Sequence, residues 1–326
     1  MSTATNSTSS GCEFKGCKFK TVRFYTTKYV LNLTRSLSQM LLRELKLLTA
    51  DIVCDTPITS EIVQRNRTNP TELLFILIPQ LLVTDASALP EPGKYCIYQL
   101  EQLNDKMHDN NTVIKTTFNP ILTSLIRNSV AAFDYSSVNL DYYPKSLRSK
   151  ITVLPPPIRI TQPPAIPETH RSDILFYGSM NPRRERILTR LAETLGQRGY
   201  NYNIQVLTRA FGDELMHYIS SAQIVLNIHF YANSILETDR IHTALQFNGV
   251  TVISEYPTQR DAFLPIYESN PRMRFCEEIS CDNIAELADA CINVLSLQVS
   301  GSDEHVFKLN ALCSTALTVL KQHIWK

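Results

Sequence analysis

Short apolar runs alternate with amphipathic stretches along most of the chain, and the alternation is clearest between Asp173 and Glu255. Apolar runs at residues 173–178, 223–229 and 249–255 each predict a buried strand that ends in polar residues. Asn181 and Pro182 follow the first run, and an asparagine cap with proline in the first turn is typical of a helix start. Strands that alternate with helices predict a parallel sheet covered on both faces, in which ligands bind beyond the carboxyl ends of the strands.

The first half of the chain repeats this pattern less regularly. Apolar runs predict strands over 21–25, 73–78, 95–98, 130–133 and 151–154, with a helix over 29–48 after the first of them. Beyond Glu255, the pattern predicts a last strand at 273–275, a helix over 282–295 and a long amphipathic helix over 306–325. The fold class expected from this order is α/β, with two parallel sheets flanked by helices.

Prolines divide the chain into two parts. Six of the 17 prolines fall between Pro155 and Pro167, where a stiff, extended segment cannot continue a strand or a helix. We therefore predict a first domain over residues 19–154, a linker over 155–170 and a second domain over 171–305. Residues 1–18, rich in Ser, Thr and Asn, are predicted to form a disordered tail, and 306–326 a terminal helix.

Composition excludes several kinds of partner. A net charge of +1 argues against binding to nucleic acid that is driven by electrostatics. The eight cysteines show no Cys-x-x-Cys spacing, so reduced thiols are favoured over a metal site. The longest apolar run, residues 73–78, falls far short of the roughly 20 residues of a membrane helix, and no signal peptide is seen. A cytoplasmic protein is expected, while peripheral membrane association and oligomeric state stay open.

The turn after residue 177 is a candidate anion site. Gly178 and Ser179 end the strand, and Arg183 and Arg184 occupy the first turn of the following helix. Cations there oppose the helix dipole at a cost of roughly 0.3–1 kcal/mol each, whereas a helix N-terminus attracts anions. Because leucines and isoleucines already supply the buried face, both arginines are free to contact a phosphate. The alternative is that both side chains reach only solvent.

Glu237 and Arg240 lie at the start of another predicted helix, over residues 235–247. A carboxylate in this position can accept hydrogen bonds from two hydroxyls of a ribose. Equally, Ser234 and Glu237 fit a capping box, with Arg240 three residues on for a surface ion pair. The residues alone leave these two interpretations balanced.

Further candidates stand directly after predicted strands. Asn227 and His229 lie at one strand end, and a histidine in that position is more often a satisfied, half-buried residue than a catalyst. In the first half, Glu101 and Asp134 follow convincing strands, so either could be a general base, although loop capping is the simpler alternative. The sequence has no dinucleotide glycine fingerprint, Walker loop, zincin motif or hydrolase elbow, which argues against those enzyme classes.

Taken together, these segments resemble the donor-binding half of group 1 glycosyltransferases with the GT-B fold. The resemblance covers residues 175–184, 225–231, 236–241 and 244–255, and it extends to Tyr98-Gln-Leu-Glu101-Gln-Leu and Asp134-Tyr-Ser in the first half. It implies two Rossmann-like domains facing a cleft, a nucleotide-sugar donor on the second domain and an acceptor on the first. It also implies that the terminal helix crosses back to the first domain and that no bound metal is needed.

One departure from the family pattern limits what can be carried over. The larger group of these glycosyltransferases has two glutamates eight positions apart. If Glu237 corresponds to the second of them, His229 occupies the position of the first. The resemblance therefore implies a ribose role for Glu237 and leaves the catalytic acid and the stereochemistry open.

The resemblance implies a metal-independent glycosyltransferase acting on a glycan or other small acceptor. The alternatives are a nucleotide-sugar epimerase of the same fold and a non-catalytic nucleotide-sugar-binding module. The predicted donor-site residues are Gly178, Ser179, Arg183, Arg184, Asn227, Glu237 and Arg240, and the catalytic candidates are Glu101, Asp134 and His229.

Overall fold

The computed structural model describes residues 18–103, 120–160, 171–231, 234–277, 279–280, 282–296 and 304–324. Almost all of the predicted tail, residues 161–170 of the predicted linker and the last two residues of the chain lie outside these ranges.

The N-terminal domain is built on a six-stranded parallel sheet in the order β2-β1-β3-β4-β5-β6. Its strands are β1 (Thr21–Thr26), β2 (Thr49–Cys54), β3 (Glu72–Leu77), β4 (Tyr95–Gln99), β5 (Ala131–Asp134) and β6 (Ile151–Val153). Its helices are α1 (Leu31–Leu45), α2 (Ser60–Thr68), α3 (Pro79–Leu82), α4 (Pro120–Asn128) and α5 (Lys145–Arg148). Helices cover both faces, so the central strand β3 is buried along its whole length.

The C-terminal domain has a five-stranded parallel sheet in the order β11-β10-β9-β7-β8. Its strands are β7 (Ser172–Tyr177), β8 (Ile204–Leu207), β9 (Ala222–Asn227), β10 (Thr251–Glu255) and β11 (Met273–Cys276). The helices are α6 (Pro182–Gln197), α7 (Gly212–Ser221), α8 (Thr238–Leu245), α9 (Leu264–Glu268), α10 (Ile284–Ser296) and α11 (Glu304–Ile324). Helices α6 and α10 pack on one face, and α7, α8 and α9 pack on the other.

Two strands were not predicted from the sequence, and both lie at a sheet edge. β2 and β8 are paired on one side only, and their residues are mostly half-buried or exposed, so polar residues interrupt their apolar pattern. The prediction for the start of α6 is confirmed, because Asn181 caps the helix by accepting from the amide of Arg184 at 2.8 Å and Pro182 is its first residue.

The terminal helix α11 packs against both domains. Its first turns place Val306 and Leu309 in the core of the C-terminal domain. Its later turns place Cys313, Leu317 and Leu320 in the core of the N-terminal domain, next to α1. One helix therefore ties the two cores together; the domain limits drawn from the sequence stay a prediction.

The carboxyl edges of the two sheets face each other across a cleft. In the loop that follows β5, the Ser136 hydroxyl donates to Asp261 at 2.5 Å. In the loop that follows β4, Gln102 accepts from the amide of Ile235 at 3.3 Å. Loops of both domains therefore meet at this edge. Within the described parts of the chain, no helix combines the length and the apolar character needed to cross a bilayer.

Candidate functional site

The turn that follows β7 depends on a glycine. Gly178 has a φ of +128° and donates its amide to the carbonyl of Leu207 at 2.9 Å. A β-carbon there would lie 2.8 Å from Nη2 of Arg240, closer than real contacts allow. The missing side chain lets the Arg240 guanidinium lie directly under the turn. Ser179, the next residue, is exposed to solvent.

Arg184 lies buried beneath this turn. Its guanidinium donates to the carbonyl of Ile228 at 2.6 and 2.9 Å, to the carbonyl of Ser179 at 2.7 Å and to Glu237 at 3.2 Å. The side chain is only 2% exposed. Burial and the neighbouring Arg240 lower the pKa of Arg184 to about 10, so the group stays cationic at neutral pH. A fixed positive charge therefore lies just below the sheet edge.

Arg240 lies next to Arg184 under the same turn. It donates to Oδ1 of Asn227 at 2.8 Å and forms an ion pair with Glu237. The guanidinium also lies within 6 Å of the rings of Phe176 and Tyr177, so it is held by aromatic faces as well as by polar partners. Asn227 is buried and donates to the Ser254 hydroxyl at 2.9 Å, which fixes the orientation of its amide.

The two arginines converge on the carboxylate of Glu237, which is the centre of the site. Glu237 also accepts from the amide of Phe230 at 3.2 Å, and its side chain is 26% exposed. Burial alone would raise the pKa of Glu237, but Arg240 and Arg184 outweigh it and hold the pKa below its ordinary value. The group is therefore an ionised carboxylate on the cleft edge that keeps a solvent-facing side.

The capping alternative for Glu237 is wrong. Helix α8 begins at Thr238, and Glu237 makes no side-chain capping bond to it. The Ser234 hydroxyl instead donates to the carbonyl of Tyr231 at 2.6 Å. The ion pair with Arg240 exists but lies largely buried, because Arg240 is only 13% exposed.

Arg183 lies farther along the sheet edge and is engaged differently. It forms an ion pair with the buried Glu255 and donates to the carbonyls of His229 and Ile279, each at 3.0 Å. Glu255 also accepts from the amide of His229 at 2.6 Å. Arg183 and Arg184 thus both lie at the edge predicted from the sequence, but protein oxygens already occupy their donors. Direct contact of either with a phosphate stays a prediction.

His229 lines the same edge and is 3% exposed. Its Nε2 lies 3.2 Å from the carbonyl of Glu255, and its Nδ1 has no hydrogen-bond partner within the described chain. Burial lowers the pKa of His229, although Glu237 and Glu255 oppose the shift. A neutral imidazole is better suited to accept a hydrogen bond from a ligand than to act as an acid.

Glu101 faces this site from the N-terminal domain. No hydrogen bond to its carboxylate is formed by any described residue, and its charge acts on Glu237 and Asp239 across the cleft. Burial, Glu237 and Asp239 raise the pKa of Glu101 to about 7. Asp239 was not among the residues predicted from the sequence; burial likewise raises the pKa of Asp239 to about 7, against the opposing effect of Arg240.

Asp134 is enclosed by protein. It is fully buried and accepts from the Ser136 amide at 2.9 Å, from Asn139 at 2.9 Å and from the Tyr143 hydroxyl at 2.7 Å. Burial raises the pKa of Asp134 to about 7, while these donors oppose the shift. Its role in this structure is to organise the turn after β5. A catalytic role for either Asp134 or Glu101 stays a prediction.

Comparison with known proteins identifies the fold. No protein-family model matches the sequence, and no curated protein matches it significantly. An α-glucosyltransferase in complex with UDP-glucose and abasic-site DNA aligns with a TM-score of 0.50 at 10% identity, over 93% of this chain and 95% of that chain. An α-glucosyltransferase in complex with UDP and a 13-mer DNA containing a HMU base aligns with a TM-score of 0.51 at 9% identity. The alignment covers 94% of this chain and 100% of that chain. The lipopolysaccharide outer core galactosyltransferase WaaB in its apo form aligns with a TM-score of 0.46 at 8% identity, over 93% of this chain and 99% of that chain.

The likeness to the two α-glucosyltransferases extends over nearly the whole of each chain. With its two parallel sheets facing one cleft, the chain has the GT-B fold that the family resemblance implied. Among the described residues, no group of three or more His, Cys, Asp or Glu side chains is arranged to hold a metal ion.

Proposed function

We propose that this protein is a glycosyltransferase that takes a sugar from a nucleoside-diphosphate donor. The solved α-glucosyltransferases that share its fold were crystallised with UDP or UDP-glucose, which supports a donor of this class. The fold alone would suit many functions, so the proposal depends on the arrangement at the cleft edge.

The observation that carries the proposal is the state of Glu237. An ionised carboxylate that keeps a solvent-facing side while two arginines fix its position can accept two hydroxyl groups at once. The 2′ and 3′ hydroxyls of a ribose offer that pair of donors. We therefore assign the ribose of the donor to Glu237.

The diphosphate would lie next to the Gly178-Ser179 turn. The missing side chain of Gly178 lets the Arg240 guanidinium lie against the turn, which brings positive charge close to the backbone there. Arg184 and Arg240 lie directly below and supply positive potential through their position, although their donors are held by the protein. The leaving diphosphate would form next to this positive charge, which would stabilise it. We therefore propose that the reaction needs no metal ion.

Glu101 is the proposed general base. An acceptor hydroxyl would attack the anomeric carbon of the donor sugar, the bond from that carbon to the phosphate oxygen would break, and the nucleoside diphosphate would leave with the electron pair. The hydroxyl proton would pass to the carboxylate of Glu101, whose pKa near 7 suits a base that works at neutral pH.

Calorimetric titration with UDP, GDP and uridine, followed by product analysis with UDP-sugars, tests this proposal. We expect a nucleoside diphosphate to bind more tightly than its nucleoside, and the sugar to appear on an acceptor or on water. Conversion of the donor to an epimer without transfer would instead identify an epimerase. Binding without any turnover, across glycan and DNA acceptors, would indicate a binding module.

A further inference from the structure

The amino edge of the N-terminal sheet, opposite the cleft, carries a stripe of basic side chains. Each of these residues either precedes a strand by no more than three positions or lies in the last turn of a helix. The parallel topology therefore brings all of them to one edge. The members of this basic stripe are Lys18, Lys20, Arg67, Lys94, Arg127 and Lys150. All of them are exposed to solvent except Lys94, which is half-buried.

Hydrogen bonds between neighbouring segments make the basic stripe continuous. The amide of Lys20 donates to the loop before β3 at 2.9 Å. Nζ of Lys94 donates to the carbonyl of Arg67 at 3.0 Å. Nζ of Lys150 likewise donates to the carbonyl of Arg127 at 2.8 Å. Because β3, β4 and β5 lie between β1 and β6, the basic stripe extends over roughly 20 Å at the usual separation of strands.

The needs of the fold account for two of these cations. Helices α1, α2 and α4 end at this edge, and the carboxyl end of a helix carries about half a negative charge. Lys94 also donates to the carbonyl of Asn66 in the last turn of α2, and Lys150 donates to the last turn of α4. These two lysines already balance the helix ends. The other members of the basic stripe are a surplus of positive charge.

Acidic residues near this edge do not cancel the surplus. Glu91 pairs with Lys94, and three other acids pair with cations that are not members of the basic stripe. Those pairs are Glu44–Lys321, Asp51–Arg23 and Glu72–Arg23. By contrast, no described residue forms an ion pair or a side-chain hydrogen bond with Lys20, Arg67 or Arg127. Since the whole chain carries a net charge of only +1, positive charge is concentrated at this edge.

An exposed apolar side chain lies beside the basic stripe. Leu48 is 73% exposed, and its amide donates to the carbonyl of Lys20 at 2.8 Å, just before β2. Among the large apolar side chains that are exposed in the described ranges, Leu48 is the one at this edge. An aliphatic side chain gives the bases of a nucleic acid no aromatic ring on which to stack. Beside cations, it matches the boundary between lipid headgroups and acyl chains.

We propose that the basic stripe and Leu48 dock this protein on an anionic lipid bilayer. Each Lys or Arg close to such a surface strengthens binding roughly fivefold. Lys18, Lys20, Arg67 and Arg127 together therefore give a preference of roughly several hundredfold for an anionic bilayer over a neutral one. Insertion of Leu48 adds an apolar contribution that does not depend on salt.

Docking by this edge leaves the cleft facing away from the bilayer. The candidate site lies at the carboxyl ends of the strands, and the length of β1 and β3 separates the two edges of the sheet by about 20 Å. The cleft of a docked molecule is therefore open to solution. A further consequence rests on the proposed function: the sugar acceptor is a molecule dissolved in water and not one embedded in the bilayer.

Sedimentation of the full chain with lipid vesicles tests the docking surface. We expect binding to phosphatidylcholine vesicles that contain about one third phosphatidylglycerol, no binding to phosphatidylcholine alone, and release as salt rises from about 0.1 M to about 1 M. The triple variant Lys20→Gln, Arg67→Gln, Arg127→Gln should bind the anionic vesicles roughly a hundredfold more weakly. Leu48→Asn, which leaves the helix ends untouched, should weaken binding at least about threefold.

The matched control removes the same charges elsewhere. Lys145, Arg186 and Arg209 are exposed and form no ion pair with any described residue, but they lie in α5, in α6 and after β8. Because salt screens charges that lie beyond the contact surface, the triple glutamine variant at these positions should bind the anionic vesicles within about twofold of the wild type. Equal losses in the two triple variants would overturn the docking surface.

Two further readouts complete the test. Binding of a DNA duplex without binding of anionic vesicles would overturn the docking surface, and so would binding of neither. The affinity for UDP should be the same on vesicles as in solution, and its loss on vesicles would overturn the outward-facing cleft. Docking by a protein that binds no UDP under either condition would leave the docking surface standing and remove the donor-binding proposal.

Discussion

Arg184 donates to both carboxylate oxygens of Glu237, at 3.2 and 3.4 Å, although 53 residues separate the two along the chain. The contact joins the first turn of α6 to the residue before α8, across the carboxyl ends of β7 and β9. It holds a carboxylate ionised at the mouth of the cleft with its outer side free. The donor-binding proposal follows from this contact more than from any motif.

The Gly178 turn should be sensitive to a single added carbon. Gly178→Ala places Cβ against the Arg240 guanidinium and also strains the backbone, by roughly 1–3 kcal/mol. We expect a lower Tm and a loss of UDP affinity of at least tenfold in calorimetric titration. Gly199→Ala is the control, since Gly199 also has a positive φ but has no atom near its added Cβ. The control should lose stability and keep its UDP affinity; equal losses of affinity in both variants would contradict a specific role for Gly178.

Arg183 distinguishes a diphosphate contact from a structural one. In Arg183→Ala, Glu255 loses its ion pair, and we expect a loss of about 1–3 kcal/mol of stability. Because the donors of Arg183 already go to Glu255, His229 and Ile279, the ratio of UDP to uridine affinity should not change. A fall in that ratio would show that Arg183 moves onto the diphosphate, as the sequence indicates.

Glu101 should set the pH dependence of sugar transfer. A base must be ionised to accept a proton, so the transfer rate should rise with pH through a limb centred near the pKa of Glu101, about 7. Glu101→Gln should lower kcat by roughly 10²–10⁴-fold and remove the limb. Asp134→Asn is the comparison, because the pKa of Asp134 is also near 7 but its carboxylate is enclosed. That variant should lose stability and keep the limb; a limb that disappears with Asp134 alone would exclude Glu101 as the base.

Asp239 should make the protein less stable as the pH rises. Burial raises the pKa of Asp239 from 3.8 in the unfolded chain to about 7 in the fold, so the folded state binds the proton more tightly. Its ionisation between about pH 4 and pH 7 therefore lowers the free energy of unfolding, and the loss is complete above the folded pKa. Urea unfolding should show Asp239→Asn gaining stability over the wild type at pH 8 and much less at pH 5. A difference that does not vary with pH would contradict this assignment.

The pattern of strand ends was enough to predict two parallel sheets flanked by helices and the edge at which the candidate site lies. Gly178, Asn227 and Glu237 could be located because parallel strands end at a common edge. The edge strands β2 and β8 were missed, since an edge strand has too little buried surface to produce an apolar pattern. The partners of the arginines could not be predicted either. Arg183 meets Glu255, 72 residues away, and such a pairing follows from packing and not from spacing.

Asp239 was missed for a related reason. Nothing in the local sequence distinguishes a buried carboxyl group from one exposed to solvent, and the difference arises only when α8 packs against the rest of the fold. The left-handed Ile78 gave no signal, because a β-branched residue before proline predicts an extended backbone.

Titration of UDP into Glu237→Gln, beside the wild type, tests the central claim most directly. Glutamine keeps the size of the side chain and removes the charge that Arg184 and Arg240 hold, so we predict a loss of UDP affinity of roughly 1–3 kcal/mol, about 5- to 150-fold. Uridine affinity should fall by a similar factor, because the ribose is the group that Glu237 holds. A variant with a lower Tm but unchanged affinity for both ligands would show that Glu237 only supports the fold.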